Sequence, residues 1–286
     1  MTRTPGRCAS NPERLRAHWE ERVAGVDGHI SVTLRSVDLV FAERDAMHQH
    51  YAASTMKVAV LVALLQARAA ATISDQDSVL VQPRFPSAVG GTFDLQQADD
   101  QDDQTWSRRG SRLGLLELAE PMITRSSNIA TDLIATRLGL AAIADFLDRA
   151  GLADGLSVQR LIGDSAAADA GLTNVATARG LAALVAGIAG ARWLSPSDSQ
   201  TALSILARQT HRNGIPAGLP PDTWSASKGG WVAGVRHDVA LVRPAAAPPY
   251  VLAICTTSAL PDQDALTLIA DLTRITDQEW TSWHAS

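Results

Sequence analysis

Three short clusters carry the residue types that acyl transfer needs. Ser54 and Lys57 stand three apart at the head of STMKVAVLVALLQARAA, a run too long for a strand and apolar on every side. The run predicts a buried helix beginning near Ser54, with the hydroxyl and the amine on one face. An amine so placed can take the hydroxyl proton, and the positive end of the helix dipole favours the alkoxide and helps strip the lysine of its own proton. Ser126 and Asn128 lie in ITRSSNIATDLI, in a turn before another helix. Their hydroxyl and amide can face one cleft, the first relaying a proton and the second holding a carbonyl. Lys228, Gly229 and Gly230 end a strand, where glycine admits a substrate close to the backbone and lysine can hold an anion. Each cluster alone also has a structural explanation: a helix N-cap at Ser54, Ser126 or Ser127, and an ordinary hairpin end at Gly229 and Gly230.

The two lysines of these clusters are the only lysines in the chain; the 25 basic residues otherwise comprise 23 arginines. Arginine stays protonated at any accessible pH, whereas a buried or cation-flanked lysine can lose its proton and act as a base.

The elements around the clusters follow from the change of period along the chain. Residues 1–12 read as a loose polar tail, followed by an amphipathic helix with Leu15, Trp19 and Val23 on its apolar face. HISVTLRS and DLVFAE read as a β-hairpin. From Ser54 to about residue 215 the pattern is helical, in GLLELAEPMI, NIATDLIATRLG, LAAIADFLDRAG, TARGLAALVAGIAG and SPSDSQTALSILARQ. Strand patterns return in TWSASKGG, RHDVALVRP and PYVLAICTTS, and DQDALTLIADLTRIT closes as a helix.

The expected class is therefore α+β. An antiparallel sheet flanked by helices is built from residues 13–53 and 216–286, and an all-helical lobe from 54–215 carries the nucleophile helix. A cleft between the lobes is the expected ligand site. The acidic stretch at residues 98–110 reads as an exposed, solvated loop.

Composition narrows the partners. The formal charge of −5 and the scattered arginines argue against nucleic acid. No apolar run is long enough to span a bilayer and the N-terminus has no apolar signal core, so a cytoplasmic protein, monomeric or weakly oligomeric, is expected. Cys8 and Cys255 read as free thiols.

Taken in this order, the clusters resemble those of the penicillin-recognising serine enzymes, most closely the class A β-lactamases. The family's Ser-x-x-Lys element stands as Ser54-Thr55-Met56-Lys57, its Ser-Asp-Asn element as Ser126-Ser127-Asn128, and its Lys-Thr-Gly element as Lys228-Gly229-Gly230. The likeness extends from about residue 28 to the C-terminus and implies a β-lactamase/transpeptidase-like fold acting on a small β-lactam, amide or ester. It implies Ser54 as nucleophile, Lys57 as base and Ser126 as proton relay, and Asn128, Lys228, Gly230, Trp231 and Arg236 as substrate-binding residues. The backbone N–H groups of Ser54 and Trp231 would form the oxyanion hole, with neither metal nor organic cofactor needed.

Departures are equally specific. Class A enzymes use a glutamate in the loop after the helical core to activate the deacylating water. Here no glutamate occurs between Glu120 and Glu279, and Asp164 and Asp169 are the only carboxylates in the corresponding stretch. Both aspartates read better as surface or capping residues, so slow deacylation is expected. Ser127 replaces an aspartate and Gly229 a hydroxyl residue, and these changes with the missing export signal weaken a role in antibiotic defence outside the cell. Two alternatives stand beside the hydrolase: a non-catalytic binding protein of the same fold, and an esterase or D-peptidase.

Overall fold

A computed structural model describes residues 11–285. In chain order the principal elements are α1 (Asn11–Val23), β1 (Gly28–Arg35), β2 (Val40–Arg44), α2 (Lys57–Ala69), α3 (Leu115–Thr124), α4 (Asn128–Leu138), α5 (Leu140–Arg149), α6 (Ala178–Ala189), α7 (Pro196–Ala207), β3 (Trp224–Val232), β4 (Val235–Arg243), β5 (Tyr250–Ser258) and α8 (Asp262–His284). The five strands form one sheet in the order β3-β4-β5-β1-β2, antiparallel throughout, so the two ends of the chain meet in its middle, where β5 pairs with β1.

The sheet is covered on both faces, which is why its central strands are nearly continuous apolar runs. On β4 and β5, Val239, Leu241, Val251, Ala253 and Cys255 join the core shared with the helices of residues 57–206. Their neighbours Ala240, Val242, Leu252 and Ile254 face Leu15, Trp19, Leu272 and Trp280 of the terminal helices. This is the period-2 alternation of a strand read between two apolar layers. The two indoles are buried with their N–H groups satisfied: Trp19 donates to Thr276 Oγ1 at 3.0 Å and Trp280 to Pro248 O at 2.8 Å.

Some sequence expectations need correction. The helix expected to begin near Ser54 begins at Lys57, after a 3₁₀ turn over Ala53–Met56. Ala53 has a left-handed backbone (φ +46), which an α-helix cannot continue, and Thr55 Oγ1 ties the turn by donating to Ala52 O at 2.6 Å. The acidic stretch at 98–110 is not simply solvated: Asp102 and Trp106 are buried. The carboxylate of Asp102 pairs with Arg125, and that of Asp100 receives the Trp106 indole N–H. The loose tail and Cys8 lie outside the described residues, apart from Asn11 and Pro12, which open α1. Cys255 is buried and free, its thiol pushed up by burial.

Candidate active site

The segment of Ser54 to Lys57 and that of Ser126 to Asn128 meet because α2 is buried from Lys57 to Leu65, with Lys57 itself fully enclosed. A lysine sealed in this way must find acceptors within the protein. Its Nζ donates to Ser126 O at 2.7 Å, to Asn128 Oδ1 at 2.7 Å and to Ser126 Oγ at 3.2 Å. Lys228, also fully buried, reaches the same hydroxyl from β3: its Nζ donates to Ser126 Oγ at 3.0 Å and to Gly229 O at 2.6 Å. Two amines thus flank one hydroxyl.

Electrostatics follow from that enclosure. Burial pulls the Lys57 amine down to about 7 from an ordinary 10.5, against the opposing pull of Asp100 and Asp132. Burial, and then the nearby Lys57 charge, push Lys228 well below its ordinary value. Neither amine rests in bulk water, and the helix-cap explanation of Ser54 fails because no side chain caps the N-terminus of α2.

Local backbone geometry fixes Ser126. Ser126 is left-handed (φ +59), a conformation costing a non-glycine residue about 1–3 kcal/mol. The next residue holds it in place: Ser127 caps α4 by accepting from Ala130 N at 3.3 Å. Asn128 is fixed at both ends of its amide, its Nδ2 donating to Asp99 O at 2.6 Å.

Gly230 and Gly229 differ in kind. A Cβ on Gly230 would sit 2.8 Å from both Ser54 N and Thr55 N, so β3 presses its backbone directly onto the turn that carries Ser54. A Cβ on Gly229 would meet nothing nearer than His237 O at 3.5 Å, and space alone does not demand glycine there. Trp231 follows, half-buried, edge-on to His211 with ring centroids 5.0 Å apart. Arg236, 5.2 Å above the Trp231 ring, is paired with Asp262 at the start of α8, so its guanidinium is already engaged.

A cleft of about 590 Å³ opens over this group, lined among others by Tyr51, Ser54, Asn128, Arg160, Ile162 and Trp231. Its far wall is the stretch after the helical core, and Asp132, buried on α4, tethers that wall by accepting from Ile162 N at 2.9 Å.

With the fold and the clusters in one place, comparison becomes decisive: the sequence profile of the Beta-lactamase enzyme family matches residues 17–280. The chain belongs to that family. Comparison with curated proteins gives no match. Among solved structures, PBP-A is 24% identical and superposes over 94% of this chain and 96% of its own, with a TM-score of 0.80. A PBP-A mutant solved as its acyl-enzyme complex with penicillin G is 25% identical over 94% and 97%, with a TM-score of 0.78. TLA-1 extended spectrum β-lactamase is 16% identical over 95% and 100%, with a TM-score of 0.83, a likeness that shows the shared β-lactamase fold. Family and fold support a serine hydrolase of the β-lactamase type. Among the described residues no helix is long and apolar enough to cross a membrane.

Within this β-lactamase-family chain, the weak deacylation candidates sit away from the cleft chemistry. Asp164 is buried and fully used: its carboxylate accepts from Ser87 Oγ at 2.9 Å, Ala88 N at 2.9 Å and Ala167 N at 3.1 Å, which makes it a cap and a loop clamp. Asp169 is exposed, and neither aspartate lines the cleft, whereas Ile162, Gly163, Ser165 and Ala168 do.

Sequence reasoning missed several residues that shape the site. Asp100 caps α4, accepting from Asn128 N and Ile129 N at 2.8 Å each, and nothing in its charged surroundings distinguished it. Asp132 carried a readable signal, being the one carboxylate in NIATDLI and one helical turn from Asn128. Tyr51 and Arg160 pair across the cleft wall, Arg160 Nη2 donating to the Tyr51 hydroxyl at 3.3 Å; their distance in sequence hid the pair.

Proposed function

We propose that this chain is a serine acyl hydrolase that takes a β-lactam, or a related amide or ester, onto Ser54 and releases the acyl group slowly. The observation that carries the reading is the convergence of two buried amines on the Ser126 hydroxyl, next to the cleft that Ser54 and Asn128 line.

The chemistry runs through the hydrogen-bond inventory of Lys57. A neutral amine has two hydrogens and one lone pair. In the neutral form Ser126 O and Asn128 Oδ1, each at 2.7 Å, accept the two hydrogens, the amine no longer donates across the 3.2 Å contact to Ser126 Oγ, and its lone pair is left for a hydroxyl proton. Lys57 takes the proton of Ser54 as Oγ attacks the carbonyl carbon, and the oxygen charge that develops is received by the backbone N–H groups of Ser54 and Trp231. Ser126 then donates its proton to the departing nitrogen or oxygen and is resupplied from the amines on either side. Asn128 holds the acyl amide, and Lys228 contributes positive potential for a substrate carboxylate. Arg236, held by Asp262 over Trp231, adds to that potential from behind the indole. Gly230 permits the close approach of β3. Residues 13–53 with 216–286 and residues 54–215 form the two lobes that border the cleft.

Slow release follows from the cleft wall. Where a general base would have to hold water against the ester, the lining residues are Ile162, Gly163, Ser165 and Ala168. None of these four can accept a proton from water at neutral pH, and the carboxylate that does line the cleft, Asp99, belongs to the separate acidic stretch whose carbonyl holds the Asn128 amide. The PBP-A mutant complex with penicillin G, 25% identical, supports a β-lactam as the first probe.

Intact-protein mass spectrometry after incubation with benzylpenicillin tests the reading. The native chain should gain the mass of one penicillin and keep it through dilution, and Ser54→Ala should gain none. A native chain that binds penicillin without a mass change would be a binding protein, and equal adducts on both would remove Ser54 as nucleophile.

A further inference from the structure

Four of the chain's seven histidines form a row of rings that runs from the surface toward the back of the cleft. His29 stacks on His48 with centroids 3.8 Å apart and planes 14° from parallel, His48 meets His50 edge-on at 4.7 Å, and His50 meets His237 at 5.3 Å. The inner pair is committed to the fold. His50 lies between Ser31 Oγ at 2.9 Å and Thr257 Oγ1 at 2.8 Å, and His237 Nε2 lies 2.9 Å from Tyr51 O. The outer pair is not. His29 is exposed and His48 half-buried, and exposed Asp45 joins them, with an Oδ2 3.8 Å from His29 Nδ1.

We infer that His29, Asp45 and His48 form a binding site for a divalent transition-metal ion of the zinc class, separate from the Ser54 centre. One ligand atom from each of the three lies within 4.8 Å of the other two. Around a tetrahedral zinc with bonds of about 2.0–2.1 Å, ligand atoms stand about 3.4 Å apart, so closure needs a movement of roughly 1 Å by exposed side chains and a rotation of His29 and His48 out of their stack, because the in-plane lone pairs of rings 14° from parallel do not converge. Two imidazoles with one carboxylate select zinc, nickel or copper over magnesium or calcium, which prefer all-oxygen sets. Three protein ligands leave the fourth position to water.

The backbone beneath the ligands is already set. His29 and Ser31 share one face of β1, two residues apart. Ser31 Oγ donates to Asp45 O at 2.7 Å, and His48 N donates to the same oxygen at 3.1 Å, closing the turn that brings Asp45 and His48 side by side. Asp45 is left-handed there (φ +44), which aspartate tolerates better than most residues. One serine thus anchors the strand that carries the first ligand to the turn that carries the other two, the supporting role that outer partners play in metal sites.

Calorimetric titration of the native, tag-free chain with zinc chloride, after chelator treatment, tests the site. One ion per chain is expected, with binding weakened on the order of tenfold or more by His29→Ala, by His48→Gln and by Asp45→Asn. Asp45→Asn keeps a residue that tolerates the left-handed backbone, so weakening there cannot be blamed on a misfolded turn. His18→Ala and Cys8→Ser should bind as the native chain does, and magnesium chloride should give no heat. No zinc binding by the native chain, unchanged affinity in all three ligand variants, loss of binding in Cys8→Ser or His18→Ala, or equal binding of magnesium would each overturn the inference.

Discussion

If Lys57 is the base, acylation must follow the fraction of its amine that is neutral. With burial setting that amine at about 7, half of it is neutral at pH 7, whereas a lysine at the ordinary 10.5 would be neutral in about one molecule in 3,000. The neutral form is the active one, so the rate falls as pH drops. Between pH 7 and pH 5 the neutral fraction, and the acylation rate with it, should fall about 50-fold, and between pH 7 and pH 9 it should rise only about twofold. Lys228 shares the Ser126 hydroxyl, so the two amines titrate as a pair and the acid limb reports the pair's lower step. The assay is stopped-flow or quenched labelling with a fluorescent penicillin at saturating probe from pH 5 to 9, on the native chain and on Lys57→Arg, with circular dichroism to confirm folding. Arginine cannot give up its proton, so that variant should be slow and lack the limb. A native rate flat between pH 5 and 8, or the same limb in Lys57→Arg, would refute the assignment.

Three further substitutions separate the parts of the site. Gly230→Ala places a methyl 2.8 Å from Ser54 N and Thr55 N and should abolish penicillin labelling in a folded protein, while Gly229→Ala, whose methyl makes only an ordinary 3.5 Å contact with His237 O, should label normally. Asp100→Ala removes the acceptor for Asn128 N, Ile129 N and the Trp106 indole, and should cost about 2–4 kcal/mol in chemical denaturation, with a matching fall in melting temperature. Ile162→Glu sets a carboxylate on the cleft wall opposite Ser54; followed by intact mass, loss of the penicillin adduct should speed up by on the order of a hundredfold.

The large elements were legible because their periods are long and undisturbed. VALVR and YVLAICTT read as strands and KVAVLVALL as a buried helix, and the buried Lys57 follows from the apolar circumference of that helix. Two- and three-residue pairings such as His50–Tyr51 with Val175–Ala176 were not legible, since two residues carry no period. The acidic stretch misled because charge was read as solvation, whereas Asp100 and Asp102 are held by partners at Asn128, Ile129 and Arg125, contacts that only the folded chain creates. Histidines at 29, 48 and 50 show no ligand spacing, and their row exists because β1 brings its first residues against the turn after β2.

The central claim is that burial lowers the amine of Lys57 far enough for about half of it to be neutral at pH 7. The chain offers a direct view, because it contains only two lysines and biosynthetic labelling of lysine side chains with ¹³C and ¹⁵N yields two signals to follow by NMR from pH 5 to 11. The account predicts one signal with a midpoint of about 7 that is absent from Lys57→Arg, and a second signal also titrating below the ordinary range. Two lysines that both titrate near 10.5 would contradict it.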